Sequence, residues 1–191
     1  MRRPSDRPAT FKDLETVPEG KNGEIVDGTL YVSPRPAPIH AIASSALGFE
    51  LGGPFQLGRG GPGGWWILDE PELHLGDDAM IPDLAGWRRE RMPIPPKEAA
   101  FTLAPDWICE VLSPSTSRLD LVKKLPRYAR NGVQHAWIIN PLEKTLQVYR
   151  RAESLWTLVS SFGGDDKVRA EPFDAIEIDL ANLWGPEAPE T

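Results

Sequence analysis

The chain has 191 residues, 40% of them apolar, and a net charge of −7. That suits one domain with a packed core and argues against a generally basic nucleic-acid binder, whose affinity would come from excess Lys and Arg. One cysteine, Cys109, excludes an intramolecular disulfide framework and a multi-cysteine metal site.

The charge is unevenly placed: residues 153–191 hold nine acids and two bases, and residues 1–152 are neutral. The opening MRRPSDRPATFKDL has no apolar h-region, and nowhere do about 18 apolar residues run together, so a cytoplasmic protein with no membrane partner is expected. Twenty prolines are about twice the usual share and predict short helices and many turns.

Residues 1–9 read as a flexible N-terminus, 10–184 as a single domain and 185–191 as an acidic, proline-rich tail. Thr10 stands at the capping-box distance from Asp13, with Phe11 and Leu14 as a small apolar face. GEIVDGTLYVS alternates around Asp27-Gly28, predicting a hairpin with strands near 24–27 and 29–33. From Pro38, the residues Ile39, Ile42, Ala43, Ala46, Leu47 and Leu51 recur at helical spacing. Residues 52–64, with seven glycines and two prolines, predict a mobile loop that contributes no core element.

A strand is expected at Trp65–Leu68. The segment Asp69–Asp83 holds six acids and no Lys or Arg, and a short buried strand follows over 82–87. After a proline-rich connection at 93–105, residues 106–112 form the most apolar strand, which belongs in the middle of a sheet covered on both faces. Ser117 is the expected cap of a helix running to about Arg130, ended by Asn131-Gly132. Strands at 135–140, 145–150 and 156–161 read as an antiparallel meander, and Phe173–Leu183 is a last apolar segment.

Within this pattern Glu110 is out of place. An ionised carboxylate in an apolar strand is costly unless a cation, a metal or a hydrogen-bond donor compensates for it. A structural Glu paired to Lys or Arg is one reading. Asp83, entering another short apolar strand, supplies a second carboxylate in the same kind of place, and two such strand ends can converge on one divalent cation. Lys124 lies on the next helix, one turn after Asp120.

Carboxylates that hold a metal, with a cation that orients water or stabilises the transition state, are what phosphodiester hydrolysis requires. A glycosidase using Asp83 and Glu110 as its dyad is the weaker alternative, because it gives Lys124 no task. Arg118, Lys123, Lys124, Arg127 and Arg130 form a basic cluster suited to phosphates or to water. Pro126 removes a helical hydrogen bond just after Lys124, which makes Lys123 an alternative bearer of the lysine role.

Pro82-Asp83, the run Ile108-Cys109-Glu110-Val111-Leu112-Ser113-Pro114-Ser115-Thr116, the spacing Asp120…Lys124…Tyr128, Gly132-Val133 and Ala136-Trp137-Ile138-Ile139-Asn140-Pro141 together resemble the Uma2 (DUF820) family of the PD-(D/E)XK, restriction-endonuclease-like superfamily. The resemblance covers roughly residues 10–180. It implies an α/β (α+β) fold with a central mixed β-sheet flanked by helices and ending in an antiparallel meander. It also implies a Mg²⁺- or Mn²⁺-dependent endonuclease.

Residue by residue, the resemblance implies Asp83, Glu110 and Val111 at the metal, with Asp83, Glu110, Lys124 and Glu24 as catalytic positions. Leu112 stands where the superfamily's E-x-K lysine would be, and Lys124 matches a lysine moved to the following helix. His40, Lys123 and Arg127 are candidates for substrate or phosphate contacts. The expected partner is nucleic acid, DNA rather than RNA, and the expected assembly is a homodimer through the meander. A catalytically inactive nucleic-acid-binding or self-associating module on the same fold is the alternative.

Overall fold

The computed structural model describes residues 7–186. Most of the expected flexible N-terminus and acidic tail lies outside them. Residues 7–9 are tied down: Arg7 pairs with Asp13 at 2.7 Å and the Ala9 N–H donates to the Gly28 carbonyl at 2.8 Å. Helix α1 (Phe11–Leu14) follows, started as expected by the Asp13 carboxylate accepting the Thr10 N–H at 2.7 Å.

Strands β1 (Asn22–Val26) and β2 (Thr29–Ser33) form the hairpin around Asp27-Gly28, both at positive φ. Helix α2 (Pro38–Leu51) buries Ala43, Leu47 and Leu51. It does not give way to a structureless loop. The glycine-rich stretch begins with a π-helical turn, Gly52–Gln56, whose Phe55 is buried. The composition misled because one aromatic side chain in a glycine-rich segment is enough to pin it when a hydrophobic slot receives it.

A six-stranded sheet runs in the order β10-β9-β8-β7-β6-β3, where β3 is Trp65–Asp69, β6 Leu84–Arg88, β7 Trp107–Val111, β8 His135–Asn140, β9 Thr145–Ala152 and β10 Leu155–Gly163. Only β7 and β8 pair in parallel, so the sheet is mixed, as expected. β7 sits inside it with all five residues buried. Gly86 of β6 has a steric reason: a Cβ there would lie 3.2 Å from the Ile67, Trp107 and Trp65 side chains.

The acidic segment, for which no element was expected, contains a hairpin of β4 (Leu73–Leu75) and β5 (Asp78–Met80). The alternation of Leu73 and Leu75 before Gly76-Asp77 was the available signal, masked by the run of acids. This hairpin joins the first one in a small sheet ordered β2-β1-β5-β4. Two-residue strands β11 (Lys167–Val168) and β12 (Ile178–Asp179) and a 3₁₀ turn at Leu180–Leu183 complete the fold.

Alternation along β7 divides the core. Trp107, Cys109 and Val111 face α2, Phe55, Phe173 and Leu183. Ile108 faces Val26, Leu73, Met80, Leu125 and Tyr128, the side covered by the small sheet and the helix after β7. Glu110, two residues on, shares the face of Ile108.

That helix is capped at Thr116 rather than Ser117 and has three parts: α3 (Ser117–Leu119), a π-helical turn Asp120–Lys124, and α4 (Leu125–Arg130). The Leu125 N–H donates to the Asp120 carbonyl across the wide turn. This is how the helix absorbs Pro126, which has no N–H to give and whose ring would crowd the preceding turn of an α-helix. The outer edge of the meander, β10, leaves Leu155 73% exposed. Among the described residues no helix is long and apolar enough to cross a membrane.

Candidate active site

The middle of β1 and the ends of β5, β6 and β7 meet the π-helical turn at one point. Glu24 of β1 accepts the Ile81 N–H on Oε1 at 2.8 Å. Asp83, just before β6, accepts the Val111 N–H on Oδ2 at 2.6 Å, which locks it to the strand that carries Glu110. His40, in the first turn of α2, places Nε2 3.1 Å from Asp83 Oδ1. Its other nitrogen, Nδ1, is buried without a partner among the described residues.

Lys124 is 2% exposed, and its ammonium is surrounded by acceptors. It lies 2.9 Å from Glu24 Oε1, 3.0 Å from Glu110 Oε1 and 3.5 Å from Asp120 Oδ1, and donates to the Ile81 carbonyl at 2.9 Å. The Tyr128 hydroxyl donates to Glu110 Oε1 at 2.8 Å. A cavity of about 50 Å³ opens between these groups and the turn carrying Ser113 and Thr116. That volume holds a few waters or an ion, whereas a nucleotide would have to lie outside it.

Charge within the cluster is unbalanced. Burial takes Glu110 well above the usual carboxylate range, against the opposing pull of Lys124. Asp120 is raised for the same reason, again opposed by Lys124. Burial works to lower Lys124, but Glu110 and then Glu24 outweigh it, and the amine stays charged well above its ordinary range. One ammonium is thus shared among three buried carboxylates and cannot compensate all of them. Beside them, burial and then Asp83 raise Asp69, while His40 is lifted by Asp83 against its own burial.

The structure therefore brings Glu24, His40, Asp83, Glu110, Val111 and Lys124 together. It leaves out two candidates. Lys123 is exposed on the solvent side of the helix, because the π-helical turn keeps Lys124 inward and Pro126 does not re-register it. Arg127 lies toward the turn end of the small sheet, where it pairs with Asp27 and, at 3.5 Å, with Asp78. Asp120 and the Ile81 carbonyl were not singled out as site groups. The D-x₃-K spacing pointed to the first, and only the missed β4–β5 hairpin could have placed the second.

Among the described residues no three His, Cys, Asp or Glu side chains already form a metal cage. The donor set nevertheless fits a small hard cation, which uses one or two carboxylates and completes its shell with water and phosphate oxygens. Buried carboxylates in excess of their cation occur at such sites and in structural ion-pair networks alike.

A family model described as Uma2, "Putative restriction endonuclease", matches residues 8–181. No curated protein matches the chain. The fold is similar to that of a crystal structure described as a "putative nuclease belonging to DUF820" from Anabaena variabilis ATCC 29413. The likeness has a TM-score of 0.75 at 24% identity and covers 93% of this chain and 98% of that one.

Proposed function

The chain belongs to the Uma2 family, and from that membership and the excess of buried carboxylates around Lys124 we propose that it is a divalent-cation-dependent nuclease hydrolysing phosphodiester bonds, with DNA as substrate. The single observation that carries the cation is the Glu110 carboxyl, buried at a strand end and shifted well upward despite a lysine at 3.0 Å. The family's description as a restriction endonuclease is what favours DNA.

Asp83, Glu110 and the main chain of Val111 would hold Mg²⁺ or Mn²⁺. The bound cation supplies charge neutralisation at the phosphoryl oxygens and lowers the pKa of water. The protein does the rest. The Val111 N–H and His40 fix Asp83 from two sides, so its carboxylate is oriented before substrate arrives. Lys124 orients the attacking water and offsets the charge developing on the phosphoryl group. Glu24 anchors that lysine and ties it to the Ile81 backbone. The small cavity admits water and a phosphate edge and leaves the bases outside, so the site reads backbone rather than sequence.

Thermal unfolding with and without Mn²⁺ tests the reading, together with cleavage of plasmid and single-stranded oligonucleotide. Mn²⁺ is expected to raise the melting temperature of the wild type and not that of Asp83→Ala, and plasmid is expected to be cut. If no divalent cation shifts the wild type, the cluster is a structural ion-pair network and the chain is a non-catalytic module on the same fold.

A further inference from the structure

Tyr128 is fully buried, and a phenylalanine would fill the same space, so its hydroxyl needs a reason of its own. The structure supplies one. The hydroxyl donates to Glu110 Oε1, the same oxygen that Lys124 approaches at 3.0 Å. Among the described residues, no hydrogen bond is made to the second oxygen, Oε2.

The helix is built to allow this. In an uninterrupted α-helix, the step from Asp120 to Tyr128 would turn the two side chains roughly 80° apart. The wider π-helical turn at Asp120–Lys124 takes most of that rotation back. Asp120, Lys124 and Tyr128 therefore face the Glu110 strand end in a row.

We propose that Tyr128 is a positioning residue, whose hydroxyl and the Lys124 ammonium together occupy Oε1 of Glu110 and leave Oε2 as the oxygen offered to the cleft. This rests on the cation-dependent reading of the site. Without the hydroxyl, a long and flexible lysine is free to sit across both carboxylate oxygens and close the position the cation needs. Tyr128 would thus act through Glu110 and touch neither substrate nor cation.

Tyr128→Phe tests it, because the ring and its packing are kept and only the hydroxyl is lost. Mn²⁺ affinity measured by calorimetry is expected to weaken about tenfold or more, the usual effect of losing a group that orients a metal ligand. The cleavage rate at matched Mn²⁺ is expected to fall with KM for DNA unchanged. Ile138→Val loosens the same core without touching the hydroxyl and is expected to leave Mn²⁺ affinity as it was. A Tyr128→Phe variant that binds Mn²⁺ like the wild type overturns the proposal.

If the wild type itself binds no Mn²⁺, it is the functional reading that fails. The positioning is then judged from crystal structures of the metal-free proteins. Glu110 turned so that Lys124 meets both its oxygens in Tyr128→Phe supports the role, and an unmoved Glu110 refutes it.

Discussion

On one face of the central sheet, Trp107 and Trp137 close around Phe173 with Phe55 and Trp65, ring against ring. On the other, one residue out of phase along the same strand, Glu110 meets Glu24, Lys124 and Tyr128. The first face is held by burial, which is non-directional and roughly proportional to area. The second is held by a few directed contacts whose charges do not cancel. A strand that stabilises the protein through Trp107, Cys109 and Val111 can carry an expensive carboxylate at Glu110 because the cost falls on one face only.

The sharpest way to separate the faces is to empty the first. Phe173 lies at ring-centroid distances of 4.7 Å from Phe55, 4.9 Å from Trp65 and Trp107, and 5.6 Å from Trp137. Phe173→Ala is expected to cost about 3–5 kcal/mol, read by urea unfolding. The Mn²⁺ affinity of the folded fraction should not change. A loss under about 1 kcal/mol would mean that this cluster is not the core it looks like.

Emptying the second face should instead be read in rate. Lys124→Ala is expected to lower the cleavage rate at saturating Mn²⁺ by about a hundredfold or more, with little change in KM, as for a group that stabilises developing charge. The same change leaves three buried carboxylates without their cation, so folding is to be confirmed by circular dichroism before the rate is compared. A KM effect with an intact rate would assign Lys124 to substrate binding.

Titration distinguishes the faces next, since Glu110 and Asp120 lie on the second one. Glu110 and Asp120 are raised by burial, so the folded chain holds protons there that the unfolded chain has released. Their contribution to stability is complete below the ordinary carboxylate range and is lost as pH rises through their raised values. His40, raised by Asp83, adds in the same direction, and His135, lowered by its burial, opposes. Metal-free protein is therefore expected to lose stability as pH rises above the ordinary carboxylate range. Glu110→Gln should flatten that slope by up to about 1.4 kcal/mol per pH unit, one proton's worth. An unchanged slope would place the buried proton elsewhere.

The two faces also differed in how far the sequence revealed them. The hairpin at Asp27-Gly28, helix α2, the buried strand β7 and the meander follow from periodicity and turn chemistry, which are local. Asp83 and Glu110 were legible as carboxylates set against an apolar pattern, and Lys124 through its spacing from Asp120 and the resemblance to the Uma2 family. Phe55 was hidden because its partner, Phe173, lies more than a hundred residues away and the intervening glycines spoke only of the backbone. The β4–β5 hairpin was hidden by its acids, and with it the Ile81 carbonyl that fixes Lys124. The π-helical turn has no propensity signal of its own, and Pro126 hinted at an irregularity without saying which lysine it would favour.

That last point gives the smallest effect. Lys123 precedes Lys124 on the same turn, carries the same charge and is exposed. If the helix phase places Lys124 inward, the neighbouring side chain is turned roughly 100° away and meets water. An exposed lysine without buried partners changes stability by less than about 0.5 kcal/mol when truncated, and at this distance from the carboxylates its charge is screened by salt. Lys123→Ala is therefore expected to cleave plasmid within about twofold of the wild type at moderate salt, with the same melting temperature. Any loss at low salt should vanish as salt is added, as for a weak contact to a distant phosphate. A large, salt-independent loss from Lys123→Ala, with Lys124→Ala left active, would show that Pro126 re-registers the helix and that the cation at the carboxylates is Lys123.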